Sequence, residues 1–435
     1  MGRLTSVSSP STGRSRDGRS FPLARADDAW LAEPLESGRS AGFGLYLHVP
    51  FCHHRCGYCD FATEAVGSLS ADDRDHVMQR YVDALERDLS AQAAAHEGEQ
   101  RPLTSVFVGG GTPTLLPPDL LARLLYAVGQ EFDLAPDAEV TVECNPETAS
   151  EELFAALVRS GVNRVSMGAQ SFDPQVLSVL EREHHPERTL DAVRSAREAG
   201  IERLSLDLIY GTPGESESSW QETLSAVLAT GVEHVSAYAL SVHANTPLGR
   251  AVAGGQVPPP DDDVQRERFD QLREVLRSAG FVHYELANLA RSDALRSRHN
   301  VLYWRHGDYL GVGVGAHAHL AGRRWWTTRA TSRYLAVSEA GRAGLTRRDA
   351  MGRLPDITEE EVLEVEARAL ERLMLGLRLA EGLHPFDVPP LDRDVLARAA
   401  SDGLVTLSCG RLQATEAGWF LLDETVRRLA ASVSV

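Results

Sequence analysis

Apolar and polar positions alternate along this chain in two kinds of block. Short, almost continuously apolar runs occur at 43–49, 105–109, 139–144, 164–169, 203–209 and 234–240. Between them lie longer segments in which apolar residues recur every three or four positions, near 72–96, 117–131, 150–160, 186–199, 216–230 and 263–279. The short runs fit strands of a parallel sheet covered on both faces, and the longer segments fit helices with one apolar stripe.

A phrase repeats at the junctions. Ser160-Gly161-Val162-Asn163-Arg164-Val165-Ser166 matches Ala199-Gly200-Ile201-Glu202-Arg203-Leu204-Ser205 and Thr230-Gly231-Val232-Glu233-His234-Val235-Ser236. Ala279-Gly280-Phe281-Val282-His283-Tyr284 is a looser fourth copy. Each glycine stands where a helix needs a left-handed residue to stop, so the unit is helix, glycine cap, short loop, strand. Right-handed crossovers between such units predict an α/β fold, either a full or partial β/α barrel or an open doubly wound sheet. Both put the reactive loops at the carboxyl ends of the strands.

Composition narrows the class. The chain has 435 residues, 43% of them hydrophobic, and no apolar run approaching twenty, which predicts a soluble globular protein of one large and one smaller domain. A net charge of −18 argues against general nucleic-acid binding. Every basic side chain is arginine, and codon usage in a GC-rich genome accounts for this more economically than phosphate recognition, because the arginines are scattered. Residues 1–40 are rich in Ser, Gly, Arg and Asp without periodicity and read as a disordered head. Asp17, Asp27, Asp28, Glu33 and Glu36 count against a mitochondrial presequence, and no signal peptide is evident, so a cytoplasmic, reducing location is expected.

Chemistry concentrates after the first strand, in Cys52-His53-His54-Arg55-Cys56-Gly57-Tyr58-Cys59. The spacing C-x3-C-x2-C gathers three thiols with no fourth at fixed spacing. Three thiolates on a [4Fe–4S] cube leave one iron open to a ligand. A zinc site is the rival, and it would have to take its fourth ligand from His48, His53 or His54. Cys144 and Cys409 read as free core thiols. Other unusual residues fall at expected strand ends: Gly109-Gly110-Gly111-Thr112-Pro113, Glu143-Cys144-Asn145-Pro146, Gln170-Ser171, and Asp207 ahead of Tyr210-Gly211-Thr212-Pro213-Gly214. Helix capping suits Asn145 and Ser171. It suits Glu143, Gln170 and Asp207 less well, since a polar group ending an apolar strand needs a partner.

These motifs resemble the radical S-adenosylmethionine (SAM) proteins related to oxygen-independent coproporphyrinogen III oxidase, from about Gly42 to the C-terminus. The resemblance rests on Tyr46-Leu47-His48-Val49-Pro50-Phe51-Cys52, Gly109 to Thr114, Arg164 to Phe172 and Asp207 to Gly214. It implies a partial (β/α)6 TIM-like barrel over 41–282, an extension over 283–355 and a small, mainly helical, winged-helix-like domain over 356–435. It also implies a [4Fe–4S] cluster on Cys52, Cys56 and Cys59, with SAM in a pocket of Tyr46, Tyr58, Gly110, Gly111, Thr112, Glu143, Gln170, Arg182 and Asp207. Arg182 is expected to offer a fork to a carboxylate. The C-terminal domain is expected to cover the barrel mouth or meet a partner.

The oxidases carry a further cysteine in C-x-C spacing after the third, whereas here Cys59 is followed by Asp60 and Phe61. The string His299-Asn300-Val301-Leu302-Tyr303-Trp304 instead resembles the marker of the HemW-type heme chaperone branch. That resemblance implies heme as a third cofactor, with His299 as its axial ligand and Tyr303 and Trp304 as walls. His317 is a second candidate ligand, and Arg323 and Arg324, beside Trp325 and Trp326, are candidate propionate partners. Implied partners are a heme-acceptor protein, an electron donor such as flavodoxin or ferredoxin, and peripheral contact with a membrane. The alternative is a catalytic radical SAM enzyme, either a porphyrinogen oxidase or a methyltransferase. Two positions depart from the family pattern: His243, where glutamate is usual, and Ala287, where serine is expected.

Overall fold

The computed structural model describes residues 42–96, 101–340, 358–384, 391–408 and 410–430. The expected disordered head, Cys409 and the expected boundary at 355/356 lie outside the described residues.

The six expected strands form as β1 (Phe43–Val49), β2 (Leu103–Gly110), β3 (Leu134–Cys144), β4 (Arg164–Gln170), β5 (Arg203–Tyr210) and β6 (His234–Ala239). They pair in chain order, every neighbour parallel. The helices between them are α1 (Ala71–Ala95), α2 (Pro118–Glu131), α3 (Glu151–Arg159), α4 (Pro186–Glu198) and α5 (Glu217–Ala229), and α6 (Asp262–Ser278) follows β6. The repeated glycines do what their positions require. Gly161, Gly200, Gly231 and Gly280 have φ of +84°, +97°, +69° and +86°. At Gly161, Val162 N–H returns to Leu157 C=O at 3.0 Å, closing the helix end.

The sheet extends further than periodicity indicated. Short strands β7 (Val282–His283) and β8 (Asn288–Ala290) add antiparallel beyond β6. On the other side β9 (Asp308–Val312) pairs parallel with β1, and β10 (His317–Leu320), β11 (Arg323–Thr327) and β12 (Thr358–Val362) continue antiparallel. The result is one open twelve-stranded sheet with six successive β/α strands at its centre. The chain thus has the α/β partial-barrel architecture expected, rather than a closed ring.

Alternation along the central strands separates two environments. In β4, Val165, Met167 and Ala169 are buried in the main apolar core with residues of the surrounding helices. Arg164, Ser166, Gly168 and Gln170 face the interior cavity.

A second core gathers Leu373, Leu377, Leu396, Leu412, Trp419 and Leu429. It belongs to α8 (Val365–Gly376), to later helices and to a hairpin of β13 (Val405–Ser408) and β14 (Arg411–Ala414). This C-terminal unit joins the barrel through Ala380 N–H to Tyr284 C=O at 2.9 Å and through Arg305 to Glu381 at 2.8 Å. None of its described residues lines the interior cavity.

Candidate functional site

The cavity inside the sheet has a volume of about 860 Å³. All the residues expected to hold the cluster or SAM line it, together with His299: Tyr46, Cys52, Cys56, Tyr58, Cys59, Gly110, Gly111, Thr112, Glu143, Gln170, Arg182 and Asp207. The space runs from the loops at the carboxyl ends of the strands down to Arg164, the first residue of β4.

The three thiols occupy the loop after β1. Cys59 N–H closes a turn on Cys56 C=O at 3.1 Å, and Arg55 donates to Cys59 C=O at 3.0 Å. Thr112 Oγ1 lies 3.8 Å from Cys52 Sγ, and Arg182 Nη1 lies 3.6 Å from Cys56 Sγ. Burial pushes the Cys52 thiol up to about 12, and burial likewise raises Cys59. Among the described residues no three His, Cys, Asp or Glu side chains converge on a single metal-ion position. The donor set on the cavity wall is three sulfurs, with a hydroxyl and a guanidinium to compensate their charge. This set fits an iron–sulfur cube with one iron left open.

The glycine loop is built by crowding. A Cβ on Gly111 would lie 2.5 Å from Pro50 O and 2.7 Å from Phe51 O, so only bare backbone passes there. Gly110, at φ +123°, donates its N–H to Glu143 Oε2 at 2.9 Å. Asp207 accepts Ser166 Oγ at 2.9 and 3.1 Å. Burial, and then the Asp207 charge, push Glu143 up to about 8, and burial pushes Asp207 up to about 6. Two carboxyls facing one cavity with raised pKa values fit a cationic ligand, because a positive charge between them restores their ionised form. The ammonium and sulfonium groups of SAM meet that requirement.

Gln170 sits at φ +62° where the β4/β5 register slips, turning its amide into the cavity. Arg182 spends Nη2 on Gly168 C=O at 2.8 Å and Nη1 on Cys56, leaving buried Nε without a hydrogen bond. It therefore caps the cysteine loop, with its Nε–H unpartnered.

His299 belongs to helix α7 (Arg298–Trp304), which closes the amino-terminal end of the barrel. Glu139, at the start of the β3 pairing, accepts the N–H of Arg298 and His299 at 3.1 and 3.2 Å. His299 is 1% exposed, with Nδ1 2.9 Å from Ser105 Oγ and Nε2 2.7 Å from Tyr303 Oη. Burial lowers its pKa to about 3, so the ring is neutral. Tyr303 lines the cavity, whereas Trp304 does not; the Arg378 guanidinium lies 5.3 Å over its indole.

The other heme candidates lie away from this cavity. His317 is exposed and stacks on Trp326 at 5.5 Å. Arg323 pairs with Glu360 at 3.2 Å, and Arg324 pairs with Glu361 at 2.5 Å and also with Glu371. Trp325 is buried against His96 at 5.3 Å. These arginines are committed to glutamates and Trp325 to the core, so the expected propionate cradle does not form. His243 lines the cavity, while Ala287 does not. The sequence pattern did not single out Ser166, Ser236, Tyr238, Phe107, Arg164 and Asn300, which also line it. For Arg164 and Ser166 the alternate positions Arg164-x-Ser166-x-Gly168-x-Gln170 carried that signal.

The sequence pattern of the Radical SAM superfamily matches residues 46–227, and that of the HemN C-terminal domain matches residues 363–421. The chain is 40% identical over 387 residues to the Heme chaperone HemW of Mycobacterium tuberculosis, covering 89% of this chain and 94% of that protein. It is 36% identical to the Heme chaperone HemW of Synechocystis, covering 81% and 82%. The solved structure of coproporphyrinogen III oxidase (HemN) from Escherichia coli superposes with a TM-score of 0.74 at 23% identity, covering 93% of this chain and 94% of that one. At that identity the likeness speaks for the fold alone.

Proposed function

The chain belongs to the radical SAM superfamily, within the family that includes the HemW heme chaperones, and from that premise we propose that it binds heme and passes it to an acceptor protein. The observation that carries the reading is the match along nearly the whole length of proteins named for that role. The H-N-x-x-Y-W helix at the cavity floor supports it. The radical SAM fold implies a [4Fe–4S] cluster and SAM. In our reading Cys52, Cys56 and Cys59 hold the cluster. Gly110, Gly111, Glu143 and Asp207 receive the cationic part of SAM, and Gln170 and Tyr46 bound the rest of the pocket. When bound, the cluster supplies the electron for SAM cleavage. Thr112 and Arg182 offset thiolate charge.

His299 is the proposed ligand to heme iron. Its ring is neutral, as ligation requires, and bonding through Nε2 replaces the Tyr303 hydrogen bond. A heme-acceptor protein, a flavodoxin- or ferredoxin-like reductant, contact with a membrane surface and a cytoplasmic location all belong to this proposal. Among the described residues no helix is long and apolar enough to cross a membrane.

A second reading, a catalytic radical SAM enzyme, is favoured by the paired acids Glu143 and Asp207 on the cavity wall. Anaerobic cluster reconstitution followed by heme titration and a SAM-cleavage assay with coproporphyrinogen III separates the two. Heme binding without porphyrinogen turnover supports the chaperone. Turnover, or undetectable heme binding, supports the enzyme.

A further inference from the structure

The floor of the cavity holds a charge that the cluster and SAM do not use. Arg164 is 2% exposed, yet it lines the cavity beside Ser297 and Asn300. Its Nη1 reaches Leu295 C=O at 3.4 Å, and no carboxylate lies within 4 Å of it among the described residues. Of the acids on the two neighbouring strands, Asp207 is held by Ser166, and Glu139 accepts the backbone N–H groups of Arg298 and His299. A guanidinium buried without an ion pair is costly unless an anion completes it. Asn300 lines the same space, and no hydrogen bond engages its side-chain amide among the described residues; its backbone N–H is held by Ser297 Oγ at 3.3 Å.

We propose that Arg164 and Asn300 form a subsite at the barrel floor for the carboxylate of a small molecule other than SAM. A carboxylate matches the planar fork of arginine and accepts from an amide as well. A multiply charged phosphate suits the space less, because Glu143 and Asp207 line the same cavity. The carboxylate of SAM itself cannot serve. Arg164 begins the seven-residue strand β4, whose far end faces the cysteine loop, and six rises of about 3.3 Å separate those ends by roughly 20 Å. The proposal rests on SAM being held at the cysteine end, so SAM binding is measured separately.

The test uses the full chain with its cluster reconstituted anaerobically, with acetate as the probe and acetamide as its neutral isostere. The thermal midpoint should rise saturably with acetate and not with acetamide, and the rise should persist at saturating SAM. Arg164→Gln should weaken the apparent acetate affinity at least tenfold. Asn300→Leu, which fills the floor from an incompletely buried position, should do the same while SAM affinity is unchanged. If Arg164→Gln fails to fold, Asn300→Leu decides. Equal effects of acetate and acetamide, loss of the acetate effect on adding SAM, or an unaltered effect in Asn300→Leu overturns the proposal. Loss of SAM affinity in the wild type overturns the placement of SAM instead.

Discussion

The Tyr303 hydroxyl lies 2.7 Å from His299 Nε2, so the nitrogen proposed to meet heme iron is already engaged by a residue of its own motif. One turn of α7 separates the two side chains, and their rings meet edge to face at 4.7 Å. Tyr303 thus competes with iron for Nε2, whichever of the two groups donates the hydrogen bond.

Tyr303→Phe removes that competitor. Heme affinity should rise by about fivefold, the equivalent of one neutral hydrogen bond of about 1 kcal/mol. His299→Ala should weaken heme binding and shift the Soret band while the iron–sulfur absorption is unchanged. Titration of all three proteins against heme checks this. Unchanged affinity in both variants moves the heme ligand to another residue.

Cluster assembly should depend on each of three thiols and not on a fourth. Alanine at Cys52, Cys56 or Cys59 should abolish the broad visible absorption after reconstitution. Cys144→Ala should keep it, because that thiol is buried beside Asn145 C=O, 3.4 Å away. Equal loss in Cys144→Ala and Cys56→Ala would falsify the three-cysteine assignment.

The raised pKa of Glu143 makes a pH-dependent claim. Its carboxyl titrates near 8 in the folded chain, above the ordinary value of 4.5. Stability linked to it is therefore full at low pH and declines as pH rises through about 8. In the SAM-free protein Glu143→Gln should be more stable than wild type above pH 8. The gain should be on the order of 2 kcal/mol or more, since every tenfold change in a group's proton affinity on folding is worth about 1.4 kcal/mol. The two should converge near pH 4. SAM affinity should fall by about 1.5–3 kcal/mol in the same variant, as one charge-assisted contact is lost. Denaturation curves at several pH values and an anaerobic SAM titration measure the two effects. A variant with the same pH profile and SAM affinity as wild type removes Glu143 from the pocket.

Glycines of the two kinds should respond differently to alanine. At Gly161 no atom lies within 4 Å of an added Cβ, so the cost is left-handed backbone strain alone, about 1–2 kcal/mol. At Gly111 the added carbon meets two carbonyl oxygens of the cysteine-loop stem. Gly111→Ala should displace that loop and lower cluster occupancy, whereas Gly161→Ala should lower the melting temperature and leave occupancy intact. Iron content per chain, measured beside the melting curve, distinguishes them.

The local pattern determined much of this protein. Strand and helix alternation, the glycine stops and the thiol triplet all depend on residues within a few positions of one another, and those interactions survive without knowledge of the rest of the chain. The side chains expected at strand ends converge because a parallel sheet brings every carboxyl end to one mouth. Tertiary structure decided what each remaining side chain meets. Ser105 and His299 are 194 residues apart, and only placement of α7 at the barrel floor joins them. Arg324 read as a free cation beside aromatic residues, yet the approach of α8 gives it Glu371. Strand β9 carries glycine in a short run, Asp308-Tyr309-Leu310-Gly311-Val312, and is a strand chiefly because β1 presents an open parallel edge to it. Long-range partners carry no signature in local periodicity, because the groups that satisfy a buried charge or ring nitrogen are supplied by whichever element the packed sheet brings alongside.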